Sequence, residues 1–473
     1  MLPVVKGTLF MDRRKFVGGA LAVPAAATVG TSMRAVAQEG SASPVVEPDP
    51  SIEGTIAVGM VGNPQMVALQ ELVGAGVFNE LYPNITVELT VLPENEIRQT
   101  IARDVATQSG QFDIFTVGPF EVPLWAANGW LEEVGEEARA DSSYDVDDIF
   151  ESMLTGLTYE DGLYALPFYG ESAMAFYRKD LFEAAGLTMP ERPTWEDIAG
   201  FAAELHAPDD VYGMALRGLP GWGEMGAPLT TMINTFGGRW FDEEWNAALT
   251  EEDSAAAITF YLESLQQYGP PGSEQNGFTE CETLFVQGRL AQWFDATSAA
   301  ELLSSPQENP DFYDQVGYAH WPSNTLPGGS WLWSWNFAMA ANSDVKDASL
   351  AFMKWATSKE YQGQIVEEDG GWGRAPTGAR SSTYTDEDYL AFAGEFANIV
   401  QTSIEDATPS EPTEEPVPYT GGQFVRIPEF TQLGDDATQQ FAAALVGDQS
   451  IEEAIEAANE LANQVAVDGG YQD

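Results

Sequence analysis

After residue 52 the chain alternates two hydrophobic periods, and that alternation restricts the fold more than any other feature. Residues 54–59 are a short apolar run bounded by glycine and read as a buried strand. Asn63-Pro64-Gln65 then opens a helix. Its apolar positions Met66, Leu69, Val73 and Val77 keep helical spacing up to the stop at Tyr82-Pro83-Asn84. Ile85, Val87, Leu89 and Val91 alternate as a strand does. Ile97, Ile101 and Val105 lie four apart on a second helix, and residues 112–117 form a third strand that ends at Gly118-Pro119. Strand–helix–strand repetition calls for a mainly parallel sheet with helices on its faces, because a parallel crossover needs a helix-length connection. In such sheets ligands meet the loops at the carboxyl ends of strands. That singles out Asn63 and Gln65 after the first strand, and Phe120 and Glu121 after the third. The competing reading of each is a helix cap or a solvated loop residue.

Residues 328–340 (GGSWLWSWNFAMA) place Trp331, Trp333 and Trp335 at every second position. Period two puts the three rings on one face of a strand. Such rings either wall a ligand with stiff apolar surface and N–H donors or pack in a core, and both readings stay open at this point. Two further loops combine glycine, aromatics and charge: 217–224, with Arg217, Trp222 and Glu224, and 236–241, with Arg239 and Trp240. The first lacks the GK[ST] ending of a phosphate loop. Ser343 is the expected N-cap of a helix with Val345, Ala348, Phe352 and Trp355 inward. Residues 408–418, rich in Pro and Glu, read as an exposed loop. Helices around Phe441 and over 451–465 close the chain.

With 473 residues the chain suits two or three domains, or one large two-lobed body. It has 20 Lys and Arg against 74 Asp and Glu, a net charge of −54. Such a surface repels nucleic acid and anionic lipid and excludes both as partners. Lysine is scarce, at six residues, and the acids are spread along the whole chain. That pattern suits concentrated salt, where the Debye length shrinks to about 3 Å at 1 M and self-repulsion is screened. The single cysteine, Cys281, rules out an internal disulfide, and with only His206 and His320 beside it a Cys/His zinc site is not expected. Residues 1–37 read as an export signal. Asp12-Arg13-Arg14-Lys15-Phe16-Val17 resembles the twin-arginine motif, with Asp12 where Ser or Thr is usual. A weak apolar run follows, too short to span a membrane, and Ala35-Val36-Ala37 forms a small-residue cleavage site. Without this segment the chain carries 15 bases and 73 acids, net −58. Residues 38–51, with Pro44, Pro48 and Pro50, form a polar linker.

Four long segments carry a family resemblance: FDIFTVGPFEVPLWAANGWL (112–131), YALPFYGESAMAFYRKDLFEAAGLTMPERPTW (164–195), RGLPGWGEMGAPLTTMINTFGGRWFDEEW (217–245) and WLWSWNFAMAANSDVKDASLAFMKWATSKEY (331–361). They resemble the periplasmic sugar-binding components of ABC importers, and within these the sorbitol/mannitol (polyol) binding proteins. The resemblance implies an α/β, two-lobed periplasmic-binding-protein fold of type II. Each lobe would be a mainly parallel sheet flanked by helices, with the ligand in the cleft. It implies lobes at 52–170 plus 331–371 and at 171–330 plus 372–473, joined by crossings near Glu171, 330–335 and Trp372. It further implies a monomer without catalysis, cofactor or metal that closes on its ligand and delivers it to a membrane permease.

A polyol offers many hydroxyls and some C–H surface. Carboxylates accept from hydroxyls, Arg donates in a fixed fork, and Trp faces cover C–H groups. On this resemblance Glu121, Glu171 and Asp295 are expected acceptors, and Arg217 and Arg374 donors. Trp222, Trp240, Trp331 and Trp333 are the expected apolar wall, Asn63 and Gln65 amide contacts, and Trp335 core. Two other readings are an oligosaccharide-binding protein of the same fold and a secreted glycosidase using Glu121 and Glu171 as its carboxyl pair.

Overall fold

The computed structural model describes residues 49–326 and 331–472. The expected export signal, and the linker up to residue 48, lie outside the described residues. In chain order the strands are β1 (Glu53–Val61), β2 (Asn84–Leu92), β3 (Ile114–Val117), the short hairpin β4 (Thr158–Tyr159) and β5 (Gly162–Leu163), β6 (Ala165–Glu171), β7 (Ala173–Arg178), β8 (Gln292–Ala296), β9 (Val316–His320) and β10 (Trp333–Met339). Five form one sheet in the order β2-β1-β3-β10-β6, and three form another in the order β8-β7-β9.

The first sheet is the alternating segment made real. β1 pairs in parallel with β2 and β3, joined through the helices Pro64–Ala75 and Glu94–Thr107. β10 slots antiparallel between β3 and β6. Its side chains are buried throughout, and Ile56, Val58 and Met60 of β1 are fully buried as well. The second sheet departs from the mainly parallel expectation, since β7 runs antiparallel to both β8 and β9. Parallel bridges from Tyr212 to Leu290 and from Ala215 to Trp293 extend it beyond β8. The chain passes from β6 in the first sheet to β7 in the second through a single residue, Ser172. Ser172 N–H donates to Thr297 Oγ1 (3.0 Å), and its hydroxyl donates to the carbonyl of Trp331 (2.8 Å). The passage after β6 is thereby tied to the segment that enters β10.

Local differences have local causes. The first helix ends at Ala75, where Gly76 takes a left-handed φ of 86° and its N–H caps the carbonyls of Leu72 and Val73. A separate short helix, Val77–Leu81, follows. Ser343 does not cap the helix Lys346–Ala356. Its hydroxyl donates instead to Asp113 (2.7 Å), whose carboxylate also receives the N–H of Ala57 (2.9 Å). In the 408–418 loop Glu411, Glu414 and Glu415 are exposed, yet Thr413 is buried and its hydroxyl donates to the carbonyl of Gly238 (2.7 Å). The closing helices Phe430–Leu445 and Ile451–Asp468 pack on each other and on Glu252–Tyr268. Among the described residues no helix is long and apolar enough to cross a membrane, and no group of three or more His, Cys, Asp or Glu could hold a metal ion.

Candidate functional site

A cavity of about 360 Å³ opens where β1, β2 and β6 end and β10 begins, faced by the 217–224 loop. Because β10 is antiparallel, its start lies at the same edge as the carboxyl ends of the others. Asn63 follows β1 and serves two purposes. Its Oδ1 caps the first helix through Met66 N–H (3.0 Å), and its Nδ2 donates to the hydroxyl of Tyr169 (2.9 Å) on β6. Burial, reinforced by Glu171, pushes the Tyr169 hydroxyl far above the usual phenol range, so it stays a neutral donor and acceptor.

Two arginines line the cavity, and each is held by carboxylates from behind. Arg98, one turn into the helix after β2, donates to Glu94 (3.0 Å) and to Glu121 (2.7 Å). Its guanidinium lies 4.4, 4.9 and 4.5 Å from the ring centroids of Trp222, Trp333 and Trp335. The other oxygen of Glu121 accepts from Gly118 N–H (3.1 Å). Gly118 is required here, since a Cβ would stand 2.0 Å from the Trp333 ring. Arg217 grips Asp295 through Nε (3.0 and 3.1 Å) and Nη2 (2.6 Å), and donates from Nη1 to the carbonyl of Gly223 (2.9 Å). Glu224 stands 3.6 Å from the same guanidinium.

The acceptors differ in character. Glu171 ends β6 opposite Trp333 and accepts from the Ser298 hydroxyl (2.6 Å); burial pushes its carboxyl up to about 7. Glu224 accepts from Phe278 N–H (3.2 Å), and burial together with the nearby Glu94 raises it too, against the pull of Arg217. Trp331 and Trp333 line the cavity, and their indole N–H groups are buried with no hydrogen-bond partner among the described residues. Four glutamates against two already paired arginines leave no spare cation in the lining. That balance suits a neutral, hydroxyl-rich ligand better than an anion.

Of the residues expected from sequence, the cavity brings together Asn63, Glu171, Arg217, Trp222, Trp331 and Trp333. Three others stand one layer behind: Gln65 donates to the carbonyl of Ser298 (3.0 Å), Glu121 braces Arg98, and Asp295 braces Arg217. Two are elsewhere. Trp240 is fully buried in the core, its N–H on Thr230 Oγ1 (3.1 Å) and its ring edge-on to Phe430, because Tyr419 and Phe430 draw its loop inward. Arg374 is taken up by Asp369 and Glu71, each at 2.7 Å, near the surface. Trp335, expected as core, lines the cavity beneath Arg98. Sequence reasoning passed over Glu94, Asn95 and Arg98, although the strand-end rule applied to β2 would have found them. Gln423, which exchanges hydrogen bonds with the backbone of Leu332, had no such signal.

A cavity at converging strand ends beside two sheets suits the binding of a small solute, and the chain belongs to the bacterial extracellular solute-binding proteins, whose family profile matches residues 62–363. It is 42% identical over 419 residues to the mannitol-binding protein of Pseudomonas aeruginosa, a match covering 88% of this chain and 94% of that one. An ABC-transporter solute-binding protein from Agrobacterium vitis S4, solved with bound D-mannitol, superposes with a TM-score of 0.85 at 42% identity, covering 89% of this chain and all of the other. A protein from Agrobacterium radiobacter K84 in complex with ribitol shares the fold at 24% identity, with a TM-score of 0.76 over 88% of this chain and all of that one.

Proposed function

We propose that this protein is the extracellular binding component of an ABC importer for a linear polyol of the mannitol and sorbitol class. The observation that carries the reading is the cavity lining: aromatic faces, glutamates at hand as acceptors, and Trp331 and Trp333, whose buried indole N–H groups have no partner among the described residues. The two 42% identical relatives, one named for mannitol and one holding it, support the same ligand class. At about 360 Å³ the cavity lies near the small end of ligand pockets, roughly 300–1,000 Å³, which favours a single polyol over an oligosaccharide. Asn63, Glu171, Arg217, Trp222, Trp331 and Trp333 are the proposed contacts, with Arg98 and Trp335 added. Glu121 faces Arg98 and Gly118 rather than the cavity, which weakens the glycosidase pairing with Glu171.

The two sheets would be the hearts of two lobes, 52–170 with 331–371 and 171–330 with 372–473, meeting at the cavity. A ligand that touches both favours the closed state, because only there are all its contacts made. Export would use residues 1–37 as a twin-arginine signal, and the closed form would dock on a membrane permease. The test is calorimetry against mannitol, sorbitol, arabitol, glucose, maltose and trehalose, with a parallel assay for glycoside cleavage. Tight polyol binding without turnover is expected. Binding of disaccharides alone would favour the oligosaccharide reading, and cleavage would overturn the binding role.

Two expectations accompany it. Glu171→Ala should weaken polyol binding at least tenfold with an unchanged circular dichroism spectrum, since a hydrogen bond to a charged group contributes about 1.5–3 kcal/mol. Unaltered affinity would remove Glu171 from the site. With a net charge of −54, the melting temperature should climb by about 10 °C from low to molar KCl as self-repulsion is screened, and a flat response would argue against a saline habitat.

A further inference from the structure

A second cavity, of about 270 Å³, shares Trp333 with the first among its lining residues. Its walls come from Pro119, the helix Glu151–Gly156, the start of β10 and the loop from 407 to 426. The two cavities differ in charge. The first has four glutamates. The second has no Asp or Glu among its lining residues, in a chain with 74 acids, and one cation, Arg426.

Arg426 is unusual for this protein. It forms no ion pair among the described residues, and its Nε is buried without a partner. Asp406 and Glu411, close to the lining in sequence, are exposed and do not reach it. The guanidinium sits 5.7 Å from the ring of Phe424, and burial lowers its proton affinity. A second polar group on the same wall is also unsatisfied: the Ser334 hydroxyl, in a residue 1% exposed, has no partner. A half-buried cation whose Nε has no partner and a buried hydroxyl also without one therefore stand on the wall of one cavity, and an unpartnered buried polar atom is costly. The rest of the lining is largely apolar, with Met153, Leu332, Trp333 and Phe424 among it.

We propose that this second cavity binds a small monocarboxylate, its carboxylate on Arg426 and Ser334 and its short apolar body against Leu332, Trp333 and Phe424. Arginine presents a planar fork that matches a carboxylate, and a serine hydroxyl adds a donor. The site is separate from the polyol cavity yet shares the Trp333 ring with it, so occupancy also changes the tryptophan emission.

Calorimetry on the polyol-free protein with acetate, butyrate, benzoate, inorganic sulfate and 1-butanol at fixed ionic strength tests the assignment. Butyrate is expected to bind one per chain, at least tenfold tighter than 1-butanol and tighter than sulfate. Arg426→Gln should weaken butyrate at least tenfold while leaving mannitol affinity unchanged, and it should melt no lower than the parent because it removes a half-buried charge without an ion-pair partner. Ser334→Ala should weaken butyrate several-fold, and Arg426→Lys, which keeps the charge but not the fork, should fall between parent and Arg426→Gln. Absence of carboxylate binding to the parent, equal binding to Arg426→Gln, or 1-butanol matching butyrate would each overturn the proposal. Sulfate matching butyrate would overturn the monocarboxylate class.

Discussion

Asp295→Ala is expected to lower the stability of the protein by about 3–5 kcal/mol and to abolish measurable polyol binding, because it strands a buried guanidinium. Asp295 is fully buried at the end of β8 and accepts from both Nε and Nη2 of Arg217. Once it is gone, the remaining neighbours of Arg217 are the Gly223 carbonyl and Glu224 at 3.6 Å. Arg217 should swing toward Glu224 and leave its place at the cavity wall beside Trp331, 5.7 Å from the ring centroid. At roughly 2–4 °C per kcal/mol for mid-sized domains, and less for larger ones, the melting temperature should fall by about 5–10 °C. The double variant Arg217→Met with Asp295→Leu separates the two roles. Removing both charges restores most of the stability, as replacement of buried ion pairs by apolar groups often does, while binding stays lost. Parental melting and affinity in Asp295→Ala would show that the pair neither supports the fold nor shapes the cavity.

The same pair shows how far sequence reasoning reaches. Asp295 and Glu121 stand at the strand ends that the spacing indicates, yet each braces an arginine, because spacing indicates the loop a carboxylate occupies and not which side chain it meets there. The alternating segment from β1 to β3 was legible because its pairings are close in sequence and each period reflects one buried face. The antiparallel insertion of β10 was not, since its partners on β3 and β6 lie far back along the chain and only packing selects them. Trp222 and Trp240 sit in similar glycine-rich loops. What separates a cavity wall from a core residue is the arrival of Tyr419 and Phe430 from the C-terminal part of the chain. For the three alternating tryptophans the simple period is the better guide: Trp331, just before β10, and Trp333 and Trp335 within it all line the cavity.

The stability of the protein should fall as pH rises from 5.5 to 8.5, while its affinity for polyol rises. Burial pushes Glu171 and Glu301 up to about 7 and Glu282 to about 8, and raises Glu121 and Glu224 as well. In the unfolded chain these groups titrate near 4.3. Over this window the folded protein therefore holds protons that the unfolded chain has released, and each step upward in pH favours unfolding. Between pH 5.5 and its value of about 7, one such carboxyl gives up roughly 2 kcal/mol, enough alone to lower the melting temperature by about 3 °C. His320 works the other way: burial, helped by Arg192, depresses its value, so it adds stability as pH rises through about 6.5. It is one group against Glu171, Glu224, Glu282 and Glu301. Asp141, held near 2 against its partial burial by hydrogen bonds from Lys354 and Ser143, is ionised in both states throughout and drops out. Polyol binding follows the opposite sign, because only the ionised Glu171 accepts hydroxyl hydrogen bonds with both oxygens. Affinity should tighten by up to about tenfold per pH unit below about 7 and level off above it. Glu171→Gln should remove the part of the affinity profile centred near 7, leaving any contribution of Glu224, yet keep most of the melting slope, since Glu282 and Glu301 do not line the cavity. Measured in molar salt to suppress general repulsion, a melting temperature that climbs from pH 5.5 to 8.5 would refute the assignment of these buried carboxyls as protonated, and with it the opposed responses of stability and binding.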